Sequence, residues 1–205
     1  MSTLQIAKKK HAGFTMIEIL ITVLVLSIGL LGLAGMQIGG LRANMSSEAR
    51  SKATLLASDI AERMRNNQLG VQNANAADDN KYNGINTANE NCDTLPDPFC
   101  SDYNNGSATT ADDCTPADMA VFDSWVWACG MPKANGVVQG GVTHLLNSGT
   151  GSVTCNDNDT TDGDACSPGS SYTINVSWNE LAPNKSGNAQ AGESQTQTYS
   201  LVVVP

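Results

Sequence analysis

The sequence predicts an α+β protein in which one long N-terminal helix packs on a small antiparallel β-sheet. Three observations predict it. An apolar run from Phe14 to about Ile38 continues without a break into an amphipathic stretch that ends near Asn67. Segments rich in β-branched and aromatic residues are confined to the second half of the chain. Six cysteines, an even number, all lie beyond the helix and are placed to staple a small head.

The helical segment has two halves. Phe14–Ile38 would be roughly 37 Å long at 1.5 Å per residue, enough to span a hydrocarbon core of ~30 Å with tilt. From residue 39 to 67 Leu41, Met45, Ala49, Ala53, Leu56, Ile60 and Met64 recur every three or four residues and form one apolar stripe. Glu48 with Lys52 and Asp59 with Arg63 stand four apart in the favourable order. The stripe should pack against the head. Gly29, Gly32, Gly35, Gly39 and Gly40 weaken the apolar half as a helix but permit close approach of neighbours. Tight bundling is the preferred reading over local stretching.

Residues 68 to about 114 are rich in Asn, Asp, Ala, Gly and Thr without periodicity, which predicts a long connection stapled by cysteines. Thr115 and Pro116 supply a helix N-cap and first turn, and Gly130 and Pro132 supply a stop. A helix over 117–129 follows, with Val121, Phe122, Trp125 and Cys129 on one apolar face. Val137–Leu146, Ser171–Trp178 and Thr196–Val204 read as strands. In the second of these Tyr172, Ile174, Val176 and Trp178 alternate with polar residues, the mark of a half-buried strand. Trp125, Trp127 and Trp178 read as core rather than as a sugar-binding platform.

Charge excludes some functions. The formal net charge is −9, and removal of residues 1–13 with their three lysines leaves −12. From Asn66 onward three basic residues face sixteen acidic ones, which argues against nucleic-acid binding. Lys8–Lys10 should remain cytoplasmic while the acidic bulk crosses the membrane. Beyond the apolar run His144 is the one histidine and no nucleophile motif occurs, so no catalytic residue is assigned and the chain does not read as an enzyme.

Cys92, Cys100, Cys114, Cys129, Cys155 and Cys166 lack the C-x-x-C or Cys/His spacing of a zinc site and read as disulfides. A helix over 117–129 holds Cys114 and Cys129 roughly 20 Å apart, too far for a bridge. Cys155 and Cys166 enclose a short turn-forming loop and are the first choice for a local bridge. Cys114 then pairs with Cys92 or Cys100, which leaves the other for Cys129. Asp157, Asp159, Asp162 and Asp164 in that loop are hard oxygen donors of the kind Ca²⁺ takes, but their spacing misses the EF-hand pattern. A solvated acidic turn is the preferred reading, and no cofactor is assigned.

The N-terminal stretch Lys8-Lys9-Lys10-His11-Ala12-Gly13-Phe14-Thr15-Met16-Ile17-Glu18 is the most informative part of the chain. A secretory signal peptide has an apolar run of about 7–15 residues, shorter than this one and without a Glu, although Ala34-Gly35-Met36 offers small residues for cleavage. A plain anchor explains the length but neither Glu18 nor the Gly-Phe junction. A carboxylate inside a membrane span costs a few kcal/mol and marks a functional site by default. The chain has no basic residue between Phe14 and Leu41, so Glu18 must be paired from outside its own helix.

Gly13-Phe14-Thr15-Met16-Ile17-Glu18-Ile19-Leu20 resembles the class III signal of type IV prepilins and of the pseudopilins of type II secretion. Leu55–Asn67, with Asp118–Trp125, the Tyr172–Trp178 strand and the final apolar strand, resembles the minor pilins called PilV, the type IV pilus modification proteins. The resemblance implies a pilin-like roll. It implies cleavage between Gly13 and Phe14 by a membrane prepilin peptidase, N-methylation of Phe14, and pairing of Glu18 with the amino terminus of a neighbouring subunit. Methylation keeps the charge, so that pairing survives it. The expected organisation is a cleaved leader at 1–13, a transmembrane and assembly half at 14–38, an amphipathic half at 39–67 and a periplasmic head at 68–205.

The expected function is that of a minor pilin that primes or caps the filament near its tip. Its partners would be major and minor pilins, the inner-membrane assembly platform, the prepilin peptidase and a pilus-tip adhesin. The chain would cross the inner membrane once before assembly and be extracellular in the pilus afterwards. The alternatives are a type II secretion pseudopilin and a membrane-anchored periplasmic binding module that never polymerises. The larger cysteine-rich head and Leu55–Asn67 favour the pilus.

Overall fold

A computed structural model describes residues 13–72, 80–101, 103–104, 108–109, 114–132, 138–161, 166–181 and 194–205. The chain divides into two compact units, Met1–Met45 and Ser46–Pro205, and helix α1 (Met16–Asn66) contributes to both. In the first unit α1 is apolar on every side. From Phe14 to Met45 all its large hydrophobic side chains are more than half exposed. Within α1 of this unit the Thr22 and Ser27 hydroxyls donate to the carbonyls of Ile19 and Val23 at 2.8 and 2.7 Å. Such back-bonding satisfies both hydroxyl hydrogens within the helix itself, as a surface that meets hydrocarbon requires. Leu41 and Met45 are 63% and 69% exposed, so the apolar stripe packs only from Ala49 onward, not from Leu41 as its periodicity suggests.

In the second unit Ala53, Leu56, Ala57, Ile60, Ala61 and Met64 of α1 are buried. They meet Tyr82, Trp127, Val142, Val153 and the inner face of the sheet in the main core. Burial of a side chain such as Ile60 or Met64 contributes about 1.5–3 kcal/mol. Just beyond α1, the Asn67 carbonyl accepts from the Gly70 and Val71 amides and the chain turns into α2 (Gln68–Gln72). The long connection contains a 3-10 turn at Thr87–Asn89, capped by the Asn86 side chain, and the small hairpin β1 (Tyr103–Asn104) and β2 (Ala108–Thr109).

Helix α3 (Pro116–Cys129) begins with a reciprocal cap. The Asp118 amide donates to Thr115 Oγ1 at 3.2 Å, and the Thr115 amide donates to Asp118 Oδ2 at 3.0 Å. It ends at Gly130, whose φ of +88° suits a residue without Cβ. The helix is buried around most of its circumference from Phe122 to Cys129, and not along one stripe. Val121, expected on the apolar face, is 48% exposed. Trp127 joins the main core, while Phe122, Trp125 and Cys129 form a second cluster with Cys92, Phe99 and Cys100.

The segment read as a strand over Val137–Leu146 is the largest correction. Val137 lies outside the described residues, Val138–Gln139 (β4) makes a two-residue pairing with Met131–Pro132 (β3), and Gly141–Leu145 is the helical turn α4. Gly141, at φ +66°, directs the chain into that turn, and Val142 and Leu146 reach the core from it.

The main sheet is antiparallel and runs β5 (Thr150–Asn156), β6 (Ser171–Leu181), β7 (Ser194–Val203). Tyr172, Ile174, Val176 and Trp178 point into the core, as the alternation requires. Strand β5 carries little hydrophobic signal because one of its inward positions is Gly151. The Trp127 ring lies where a Cβ at Gly151 would be. The architecture is the expected pilin-like α+β arrangement, with a long N-terminal helix, a small antiparallel sheet and three disulfides.

Candidate functional site

Gly13, Phe14 and Thr15 precede the first turn of α1 and are not helical. A side chain at Gly13 would meet nothing, and Phe14 is 79% exposed. The peptide bond between them therefore lies in an open stretch of backbone. The Thr15 carbonyl accepts from the Glu18 and Ile19 amides at 3.1 and 3.4 Å, which starts the helix. Glu18 lies in that first turn, where the unsatisfied amides favour a negative charge. Its side chain is exposed and has no ion-pair or hydrogen-bond partner among the described residues. Arg42, the one cation among the described residues of this unit, lies 24 positions along the helix, or ~36 Å. An accessible Gly-Phe bond and an unpaired carboxylate one turn later thus occur together at the start of an apolar helical stretch.

The head is fixed to its part of α1 by polar contacts that the sequence does not announce. Arg63 Nη1 donates to Asp123 Oδ1 at 2.9 Å, and the Tyr82 hydroxyl donates to Asp123 Oδ2 at 2.6 Å. Asn67 Nδ2 donates to Tyr82 Oη at 3.2 Å and to the Pro116 carbonyl at 2.7 Å. Burial, reinforced by the negative charge and hydrogen bond of Asp123, pushes the Tyr82 phenol far above its ordinary value of 10.0. Trp127 Nε1 donates to the Leu56 carbonyl at 2.8 Å, and the Glu180 carboxylate accepts from Ser46 at 3.0 Å and from Trp178 Nε1 at 2.7 Å. Asp123 was the available clue, since it is a charge inside the apolar run Ala120–Cys129 and a buried charge needs partners.

The disulfides pair Cys92 with Cys129, Cys100 with Cys114 and Cys155 with Cys166, with Cα–Cα distances of 5.4, 5.7 and 5.9 Å. Of the two arrangements that the sequence leaves open for the first four cysteines, this is the one with Cys92 on Cys129. In the loop closed by Cys155 and Cys166, Asp157 Oδ1 accepts from the Ser167 amide at 2.9 Å, and Asp159 Oδ1 accepts from the Thr161 amide at 3.0 Å. These bonds hold both carboxyls below their ordinary range. Both aspartates thus act as turn caps. Asp162 and Asp164 lie outside the described residues. Among the described residues no group of three or more His, Cys, Asp or Glu stands together as a metal site.

Two family models match the chain. Residues 8–34 match the prokaryotic N-terminal methylation motif. Residues 35–125 match the Tt1218-like family, described as type IV pilin Tt1218. Together they support a type IV pilin with a class III signal, and neither description names PilV. Pilins are structural proteins and not enzymes. The signal and the long apolar helix fit a single-pass, membrane-anchored pilin that is later in the pilus. No curated protein and no solved structure matches the chain.

Proposed function

We propose that this chain is a minor pilin of the PilV kind, which primes or caps a type IV pilus near its tip. The peptidase cuts between Gly13 and Phe14 and methylates the new amine of Phe14. Glu18 then receives the ammonium of a neighbouring subunit. The carrying observation is the exposed Glu18 carboxylate, unpaired among the described residues, in the apolar N-terminal half of α1, one turn beyond an open Gly-Phe bond. In hydrocarbon a lone carboxylate is costly, while one beside a fixed cation is far less so, which gives assembly a polarity and a register. The head, at residues 68–205, would meet other pilins and a tip adhesin, and the helix would meet the assembly platform.

Mass spectrometry of sheared pili tests processing and filament membership together. The expected result is a mature chain beginning at N-methylated Phe14, present in far smaller amount than the major subunit. A chain that retains residues 1–13, or that is absent from sheared filaments and found only in the membrane, refutes the reading. A Gly13→Leu variant should accumulate as uncut precursor, because a side chain there obstructs close approach of the peptidase.

A further inference from the structure

The two edges of the main sheet differ. The outer edge of β5 is covered by the chain's own segment 84–87. The Val153 amide donates to the Ile85 carbonyl at 3.0 Å, the Gly84 amide donates to the Val153 carbonyl at 3.0 Å, and the Gly151 amide donates to Thr87 Oγ1 at 2.7 Å. The outer edge of β7 has no such cover among the described residues.

Which β7 groups point outward follows from parity. The Asn179 amide donates to the Asn147 carbonyl at 2.9 Å, so odd-numbered residues of β6 direct their backbone groups toward the β5 side. Even-numbered residues of β6 therefore bond to β7, through their register partners Gln197, Tyr199, Leu201 and Val203. The amides and carbonyls of Thr196, Thr198, Ser200 and Val202 face away from the sheet. Along this ten-residue strand no bond to them occurs among the described residues.

Long open edges are normally blunted by lysine, proline or a bulge. The sequence of β7, Ser-Gln-Thr-Gln-Thr-Tyr-Ser-Leu-Val-Val, contains no charged residue, no proline and no glycine. Its register with β6 runs unbroken over ten pairs, so no bulge twists the edge away. The exposed face beside the edge is also uncharged. Hydroxyls and amides are bonded across the strands, Ser177 to Thr198 at 2.8 Å and Thr196 to Asn179 at 2.9 Å. In a chain of formal net charge −9 this strip is where a second acidic copy can approach without like charges meeting.

We propose that the β7 edge is a docking surface for a second copy of this chain, joined strand to strand. The strand is self-complementary. In an antiparallel pairing centred on Thr198, that residue faces its own copy and Thr196 faces Ser200, pairs of the kind that hydrogen-bond well across strands. On the inner face Gln197 lies opposite Tyr199, again without charge. The result is one continuous six-stranded sheet across the two copies, a β-augmentation. The proposal stands apart from the filament reading, because pairing requires neither cleavage at Gly13 nor a pilus.

Sedimentation equilibrium of the full chain in detergent tests it, with wild type beside Thr198→Pro and Thr198→Lys. Proline removes an outward amide that β6 does not use, and lysine places a charge opposite its own copy. The wild type should dimerise. Each variant should weaken the dimer by about tenfold or more, the effect of roughly two lost hydrogen bonds or one repulsive pair. Near-ultraviolet circular dichroism should show an intact head, and if proline disturbs the strand the lysine variant carries the comparison. A monomeric wild type overturns the proposal. So does a dimer that the lysine variant retains at wild-type strength, because association would then run through the apolar helix.

Discussion

Replacement of Asp123 by Ala should destabilise the head by about 3 kcal/mol. Asp123 is 5% exposed, and its carboxylate holds Arg63 at 2.9 Å and Tyr82 at 2.6 Å. Removing one member of a fully buried pair costs about 3–5 kcal/mol. Here the Arg63 contribution lies below that range, because its side chain is 27% exposed and keeps Asp59 at 3.0 Å. Tyr82 fares worse. It is fully buried, and its hydroxyl would lose its acceptor, which costs about 1–3 kcal/mol. The sum is a fall in melting temperature of roughly 6–12 °C for a unit of this size. The three tryptophans all lie in the head, so tryptophan emission during urea unfolding of the detergent-solubilised chain reports on that unit alone. Asp123→Asn keeps the shape and one acceptor and should cost about half as much. Tyr82→Phe combined with Asp123→Ala should show clear coupling in a double-mutant cycle. If Asp123→Ala lies within about 0.5 kcal/mol of wild type, the network does not secure the head to its helix.

Gly151→Val should cost about 1–3 kcal/mol by overpacking, because the new side chain meets the Trp127 ring, and the Trp127→Phe background should soften the effect in the same unfolding assay. Thermal melts across pH should fall off on both sides. Asp118, Asp157 and Asp159 are held below the ordinary aspartate value of 3.8, so their contribution is complete above that value and is lost as pH falls through the lower folded values. Tyr82 and Tyr172 are raised above 10.0, so the unfolded chain releases their protons first and stability declines as pH rises past 10.0; a flat profile on either side contradicts the assignment. Glu18→Ala should remain in the membrane but fall about tenfold or more in sheared filaments, because a neighbour's ammonium left unpaired in hydrocarbon costs ~2.5–3.5 kcal/mol; wild-type abundance would contradict the pairing.

The parts legible in the sequence are those whose signal is local. Helix α1 follows from an apolar run joined to a three-four periodicity, and α3 from Thr115, Pro116 and Gly130 at its ends. Strand β6 follows from strict alternation. Strand β5 was hidden because an inward position is filled by the ring of Trp127, a residue remote in sequence, in place of a side chain of its own. The β-branched residues of 137–146 suggest a strand, but the positive φ of Gly140 and Gly141 breaks the extended chain ahead of the helical turn Gly141–Leu145. The Arg63–Asp123–Tyr82 network joins positions 60 and 41 apart in sequence, a separation that no local pattern encodes. Gly13, Phe14 and Glu18, by contrast, lie within six consecutive residues, so the candidate site was legible before any fold was known.

The bridge between Cys100 and Cys114 lies wholly inside the loop closed by Cys92 and Cys129, while Cys155–Cys166 closes a separate one. A chain pulled from its two ends transmits tension across the outer bridge and around everything within it. The two load-bearing bridges withhold 37 and 11 residues from extension, roughly 160 Å of contour at full stretch. The inner bridge is mechanically silent for as long as the outer one holds. Reduction at Cys100–Cys114 alone would leave the extensible length unchanged, and only after Cys92–Cys129 opens would the inner staple begin to bear force.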